Sequence, residues 1–154
     1  EAPFNKGTIM ALIFSDPNSA GPFSTFQVKE AKMKVFKLTY AHFTVTSATN
    51  TKVGVLPADA SIVRISYWNK TKLAGNSIDG ATLSVGSASA GTQFVNAFDV
   101  FTTVSTYAAI SPVTGIMQAY AIPNTTEIPI WVSGLTTTGT PTSGEIYLMI
   151  EYVR

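Results

Sequence analysis

Apolar and polar positions alternate along most of the chain, and no long stretch repeats at three- and four-residue spacing, so the pattern predicts strands. The clearest run is Glu145 to Val153: Ile146, Leu148, Ile150 and Tyr152 point one way, Glu145, Tyr147, Met149 and Glu151 the other. In Ile62 to Trp68, Val63, Ile65 and Tyr67 are expected to oppose Arg64 and Ser66. A third run, Ile128 to Val132, contains Pro129, which has no N–H for a ladder, so that strand is expected at an edge or at a bulge. Between Lys32 and Thr46 the apolar phase slips. Met33 and Val35 are odd, Phe36, Leu38 and Tyr40 even, Phe43 and Val45 odd again. A one-residue slip turns every side chain over, so bulges are expected near Phe36 and near His42.

Turn residues punctuate these runs. Leu56-Pro57-Ala58-Asp59 is expected to form a type I turn, and Asp79-Gly80 a tight turn with positive φ leading into Ala81 to Val85. Gly86 to Thr92 and Thr136 to Gly144 have too little apolar area for a core and are expected as exposed tips. Seven to nine short strands with no crossover helix specify an all-β fold, an antiparallel β-sandwich of jelly-roll-like type, with an immunoglobulin-like sandwich as the alternative. Residues 31–154 are expected to form this single domain. Residues 1–30 mix Pro and Gly with the apolar run Ile9 to Phe14, and form either an amino-terminal arm that packs on something else or a first strand and loop.

Composition narrows the function. Only 12% of the 154 residues are charged, against about 25% in an ordinary soluble domain, while 21 threonines and 14 serines supply neutral polarity. The absence of cysteine removes disulfides, thiol catalysis and thiolate metal sites. A net charge of +1 is too small for a duplex-binding domain, so nucleic acid is not expected as a partner. Ile9 to Phe14 falls far short of the roughly 20 residues of a membrane helix, so no membrane association is expected.

The ionisable residues do not assemble a catalyst. His42 is the only histidine and is expected as a packed or hydrogen-bonded strand residue. Glu145 and Glu151 share a strand face about 20 Å apart, too far for a glycosidase pair. Asp16, Asp59, Asp79 and Asp99 sit by turns and strand ends, where Asp caps backbone donors. Gly86 to Thr92 lacks the lysine of a phosphate loop. No catalytic, cofactor-binding or metal-ligating residue is therefore assigned, no cofactor is expected, and the chain is read as a non-enzyme.

Features suited to contact are easier to find. Lys29, Lys32, Lys34 and Lys37 form the one basic cluster, either a solvated strand face or a contact for an acidic protein surface. Trp68, Trp131, Tyr67, Tyr107, Tyr120 and Tyr147 could form a sugar-stacking platform or serve as core and interface anchors. Asn69-Lys70-Thr71 and Asn124-Thr125-Thr126 are formal glycosylation sequons. Ala81 to Thr126 carries a single charge, Asp99, as expected of a stretch wrapped inside or pressed against another subunit.

Three segments together carry a family resemblance: Leu56-Pro57-Ala58-Asp59-Ala60-Ser61-Ile62-Val63-Arg64-Ile65, then Asp79-Gly80-Ala81-Thr82-Leu83-Ser84-Val85-Gly86, and finally Gly144-Glu145-Ile146-Tyr147-Leu148-Met149-Ile150-Glu151-Tyr152. They resemble the small β-sandwich virion proteins of tailed bacteriophages, over about Val53 to Val100 plus the last ten residues. The resemblance implies a non-enzymatic head decoration or cement protein on the outer surface of the phage head, binding the major capsid protein in many copies as a homo-oligomer, with a trimer favoured. Tail or fibre components and a carbohydrate-binding receptor module are the alternatives. Attachment is assigned to the arm residues Phe4, Ile9, Leu12, Ile13 and Phe14, with Lys29, Lys32 and Lys34 beside them.

Overall fold

The run Glu145 to Val153 forms the spine of the molecule, because it pairs on both sides. The computed structural model describes residues 30–45, 49–101, 106–110 and 125–154. Its strands are β1 (Ala31–Thr39), β2 (Phe43–Thr44), β3 (Thr49–Leu56), β4 (Ser61–Gly75), β5 (Ala81–Gly86), β6 (Val95–Asp99), β7 (Thr106–Ile110), β8 (Ile128–Thr136) and β9 (Pro141–Val153), with one 3-10 turn at Tyr40–His42. One sheet has the order β1-β9-β4-β7. In the other, β8 is flanked by β5 and then β6 on one side and carries β3 on the other, with the two residues of β2 also against it. Apart from the β2–β3 and β5–β6 steps, successive strands lie in opposite sheets, so the chain crosses repeatedly between the two layers of the sandwich.

Both sheets turn alternate residues inward, and those residues meet as one core. Leu38, Ile65, Tyr67, Ile146, Leu148 and Ile150 come from the first sheet; Leu56, Leu83, Val85, Ile130 and Val132 come from the second. Tyr67 packs edge-on against Phe98 with ring centroids 5.4 Å apart, tying the two layers together. Each such side chain contributes about 1.5–3 kcal/mol through loss of water contact. The all-β sandwich expected from the pattern is therefore the fold observed.

Several local expectations change. β1 pairs with β9 from Ala31↔Val153 to Thr39↔Glu145 without interruption, so there is no bulge at Phe36; Met33 and Val35 face outward instead and are 56% and 52% exposed. The phase change at His42 is real, but the 3-10 turn makes it, carrying the chain from one sheet to the other. His42 is thus a turn residue, and its Nδ1 accepts the Thr39 N–H at 3.1 Å. Val63 is exposed, not inside, because Ile62 pairs with Tyr152 and Arg64 with Glu151, leaving Val63 as the extra residue of a bulge. β8 is an interior strand, yet Pro129 is tolerated: β5 pairs only as far as Trp131, so Pro129 meets only Val55 of β3, and the bulge near it lies in β3 between Lys52 and Gly54. The β2–β8 pairing is parallel, a two-residue exception to the antiparallel pattern.

Turns shift by a residue or more. Ala60 N–H bonds the Pro57 carbonyl at 3.3 Å, so the turn spans Pro57 to Ala60, with Asp59 at φ 67°. Gly80 does not adopt positive φ; in that region Ser77 and Gly139 do, at 59° and 65°. The Gly86 to Thr92 tip is largely exposed, but Thr136 and Pro141 are buried strand residues, so the second tip shrinks to residues 137–140.

Candidate assembly surface

The sandwich offers two outward sheet faces of different chemistry. On the β1-β9-β4-β7 face the register sets Val35, Met149, Ser66 and Ala109 in one row, and Lys37, Tyr147 and Trp68 in the next. Trp68 and Tyr147 stack with centroids 5.6 Å apart and planes 21° from parallel. Charged groups frame this apolar centre and answer one another. Arg64 bonds Glu151 at one end. At the other, Glu145 receives Lys70 at 2.8 Å, Lys37 at 2.9 Å and the Tyr147 hydroxyl at 2.7 Å.

Three donors on one carboxylate change its titration. The Lys70 hydrogen bond, then those of Tyr147 and Lys37, hold Glu145 at about 2 against an ordinary 4.5. The same bond raises Lys70 above its ordinary value. A carboxyl whose folded value is depressed contributes stability that is present above pH 4.5 and lost as pH falls toward 2. Glu145→Gln is therefore expected to melt below the parent chain at neutral pH, with the gap closing between pH 4.5 and 2. Thermal melts of both proteins across that range check it, and a gap independent of pH contradicts the clasp.

The second face, on β3, β8, β5 and β6, is close to neutral. Lys52 lies opposite Trp131, Asn50 opposite Ser133, Ser133 opposite Ser84, and Leu135 opposite Thr82. Leu135 is exposed and Trp131 half-buried. Hydroxyl and amide groups in such an array lose little on being covered, because no ion has to be stripped of water. This is where the low-charge, Ser- and Thr-rich composition is displayed as a surface.

Among the described residues, those singled out in the sequence do not converge. Phe4, Ile9, Leu12, Ile13, Phe14 and Lys29 lie outside the described residues, as do Asp16, Tyr120 and the sequon at Asn124. The remaining lysines split: Lys32 pairs with Glu30 at 3.4 Å, Lys34 turns inward to donate to the Val55 carbonyl across the sandwich, and Lys37 joins Glu145 on the outer face. The aromatic residues also disperse. Tyr67 is core, Trp131 is on the opposite sheet, and Trp68 and Tyr147 each cover a face of the other that a pyranose ring would need.

Candidate chemistry resolves into structural roles. Asp99 Oδ1 accepts the Phe101 N–H at 2.8 Å, and Asp79 Oδ1 accepts the Thr138 hydroxyl at 2.8 Å. Among the described residues no three His, Asp or Glu side chains could together hold a metal ion. Asn69 is fully buried and its Nδ2 donates to the Val100 carbonyl, so its sequon is closed in the folded state. The cross-strand pairs Arg64–Glu151 and Lys70–Glu145 escaped sequence reading. Their partners lie 87 and 75 residues apart, and only the pairing of β4 with β9 brings them together.

No family model matches the chain, and no curated protein matches its sequence. Its likenesses are to solved structures. A chain of the cyanophage Pam1 capsid asymmetric unit superposes with a TM-score of 0.53 at 20% identity, covering 94% of this chain and 99% of that one. A chain of the capsid of Ralstonia phage GP4 gives 0.58 at 15% identity, covering 86% and 89%. The likeness is one of fold, and it extends over nearly the full length of all three chains.

Proposed function

We propose that the chain is a non-enzymatic structural protein of a phage virion, a decoration or cement protein that sits on the outer surface of the head and binds the major capsid protein in many copies. The observation that carries this reading is the fold shared end to end with a chain of a phage capsid structure. The surface chemistry agrees with it. Many of the described ionisable groups serve as ion pairs and caps, and one whole sheet face is nearly free of charge. A rigid neutral sandwich repeated over a shell bridges neighbouring subunits, so that parting them re-exposes covered area at every site. In this reading the chain is a homo-oligomer, and a closed trimer covers the edges of β1, β3, β6 and β7, which are outermost among the described strands. The arm residues Phe4, Ile9, Leu12, Ile13 and Phe14 supply attachment, with Lys29 and Lys32 beside them.

Quantifying the chain in purified particles tests the reading. Hundreds of copies per particle are expected, whereas a handful would assign it to the tail. Deleting residues 1–26 is expected to abolish binding to the shell while leaving the melt of the sandwich unchanged; full occupancy by the truncated chain removes the arm from attachment.

A further inference from the structure

The outer face of the β1-β9-β4-β7 sheet carries a charge pattern that fits itself. Outward residues of β9 run Glu145, Tyr147, Met149, Glu151, with acid at both ends. Alongside, those of β4 run Lys70, Trp68, Ser66, Arg64, with base at both ends. A two-fold axis in the contact plane, parallel to the strands and above the seam between β9 and β4, exchanges these two strands. It places Glu151 over Arg64 of a second copy, Glu145 over Lys70, and Tyr147 over Trp68. Each end then holds a quartet of alternating sign, two charges from each copy, and Lys37 of each copy stands beside the Glu145–Lys70 quartet. An axis across the strands would instead stack Glu145 on Glu151 and Arg64 on Lys70, like over like, and is rejected on electrostatic grounds.

We propose that this face is an isologous contact between two copies of the chain, seated on Val35, Trp68, Tyr147 and Met149 and closed at both ends by these charge quartets. Its apolar residues are open, Val35 at 52% and Trp68 at 37% exposure, with Ser66 closed beneath its neighbours at 1%. Its charges already have partners within the sheet, so covering them strands no ion. A uniformly acidic or basic partner would meet one matching and one opposing strand, whereas a second copy matches both. Stacked twisted sheets pack about 10 Å apart at about 30°, which this arrangement permits. The face spans about 20 Å along four strands, smaller than a standard interface, so the contact is weak in dilute solution and gains strength where copies are held close. It uses a different surface from an edge-to-edge trimer and goes beyond the shell role without depending on it.

Sedimentation of the free protein tests it. The average mass is expected to double between about 20 µM and 1 mM, from one copy toward two or, where the closed trimer has already formed, from three toward six. Val35→Glu and Arg64→Glu should each abolish the rise, and adding Glu151→Arg to Arg64→Glu should restore it. The natural chain lacks cysteine. A mixture of Val35→Cys and Ala109→Cys chains treated with a short bis-maleimide should therefore yield mixed dimers in excess over like pairs, since the two positions lie about 14 Å apart within one sheet but face each other across the two-fold. A mass that does not double, or unchanged association of a Val35→Glu protein that melts like the parent, overturns the proposal. None of these outcomes bears on the particle count.

Discussion

Replacing Leu148 with alanine is expected to lower the stability of the fold by about 3 kcal/mol and its melting temperature by about 10 °C. Leu148 has no exposed surface and lies in β9 between Phe36 of β1 and Tyr67 of β4, both of which are also buried. Its removal leaves a void in a layer held by strands on either side, and paired strands cannot collapse inward to fill it. The neighbouring residue gives the contrast. Met149 points outward in the same strand, and Met149→Ala is expected to change stability by about 0.5 kcal/mol or less. Urea or thermal unfolding of the two variants measures both. Equal losses would mean that the inward and outward faces of β9 have been exchanged.

Gly134→Val is the second large effect, with an expected loss of about 3 kcal/mol, and its origin is different. Gly134 lies in β8 where β2 comes down beside it, and a Cβ there would stand 2.4 Å from the His42 carbonyl oxygen and 2.6 Å from the Phe43 ring. Backbone cannot rotate away as a side-chain tip can, so β2 must lift. Phe43, buried at 2% exposure, then loses its seat, and the crossing of the chain from one sheet to the other loosens. Gly134→Ala should show the same sign at smaller size. A valine variant that melts with the parent would show that the short parallel pairing is dispensable.

The same crossing shows how far the sequence could be read. The slip in apolar phase around His42 is visible in the order of side chains, because burial demands that inward positions be apolar. What produces the slip is not visible: a three-residue turn and a one-residue bulge leave similar traces in the pattern. At Phe36 the inference failed for a related reason. Met33 and Val35 are apolar yet exposed, and a rule that sends apolar residues inside finds a bulge where the strand is simply regular. Pro129 misled in the opposite direction, since being outside the ladder depends on where β5 ends, which is a property of another strand.

The candidate surface follows the same division. The basic cluster at Lys32, Lys34 and Lys37 is close in the chain, but alternation puts Lys32 and Lys34 on one face and Lys37 on the other, and each lysine acquires a different partner. The acid and base that do meet, Glu151 with Arg64 and Glu145 with Lys70, are remote in sequence.

Strand content, the inward face of β9 and the scarcity of charge were all determined by the sequence, because each depends on side-chain type or on a period of two. Which strands became neighbours, which apolar residues stayed outside, and the matching of an acidic strand to a basic one were decided by the tertiary structure. Register between distant segments is a collective outcome of packing two sheets on one core, and no local pattern encodes it.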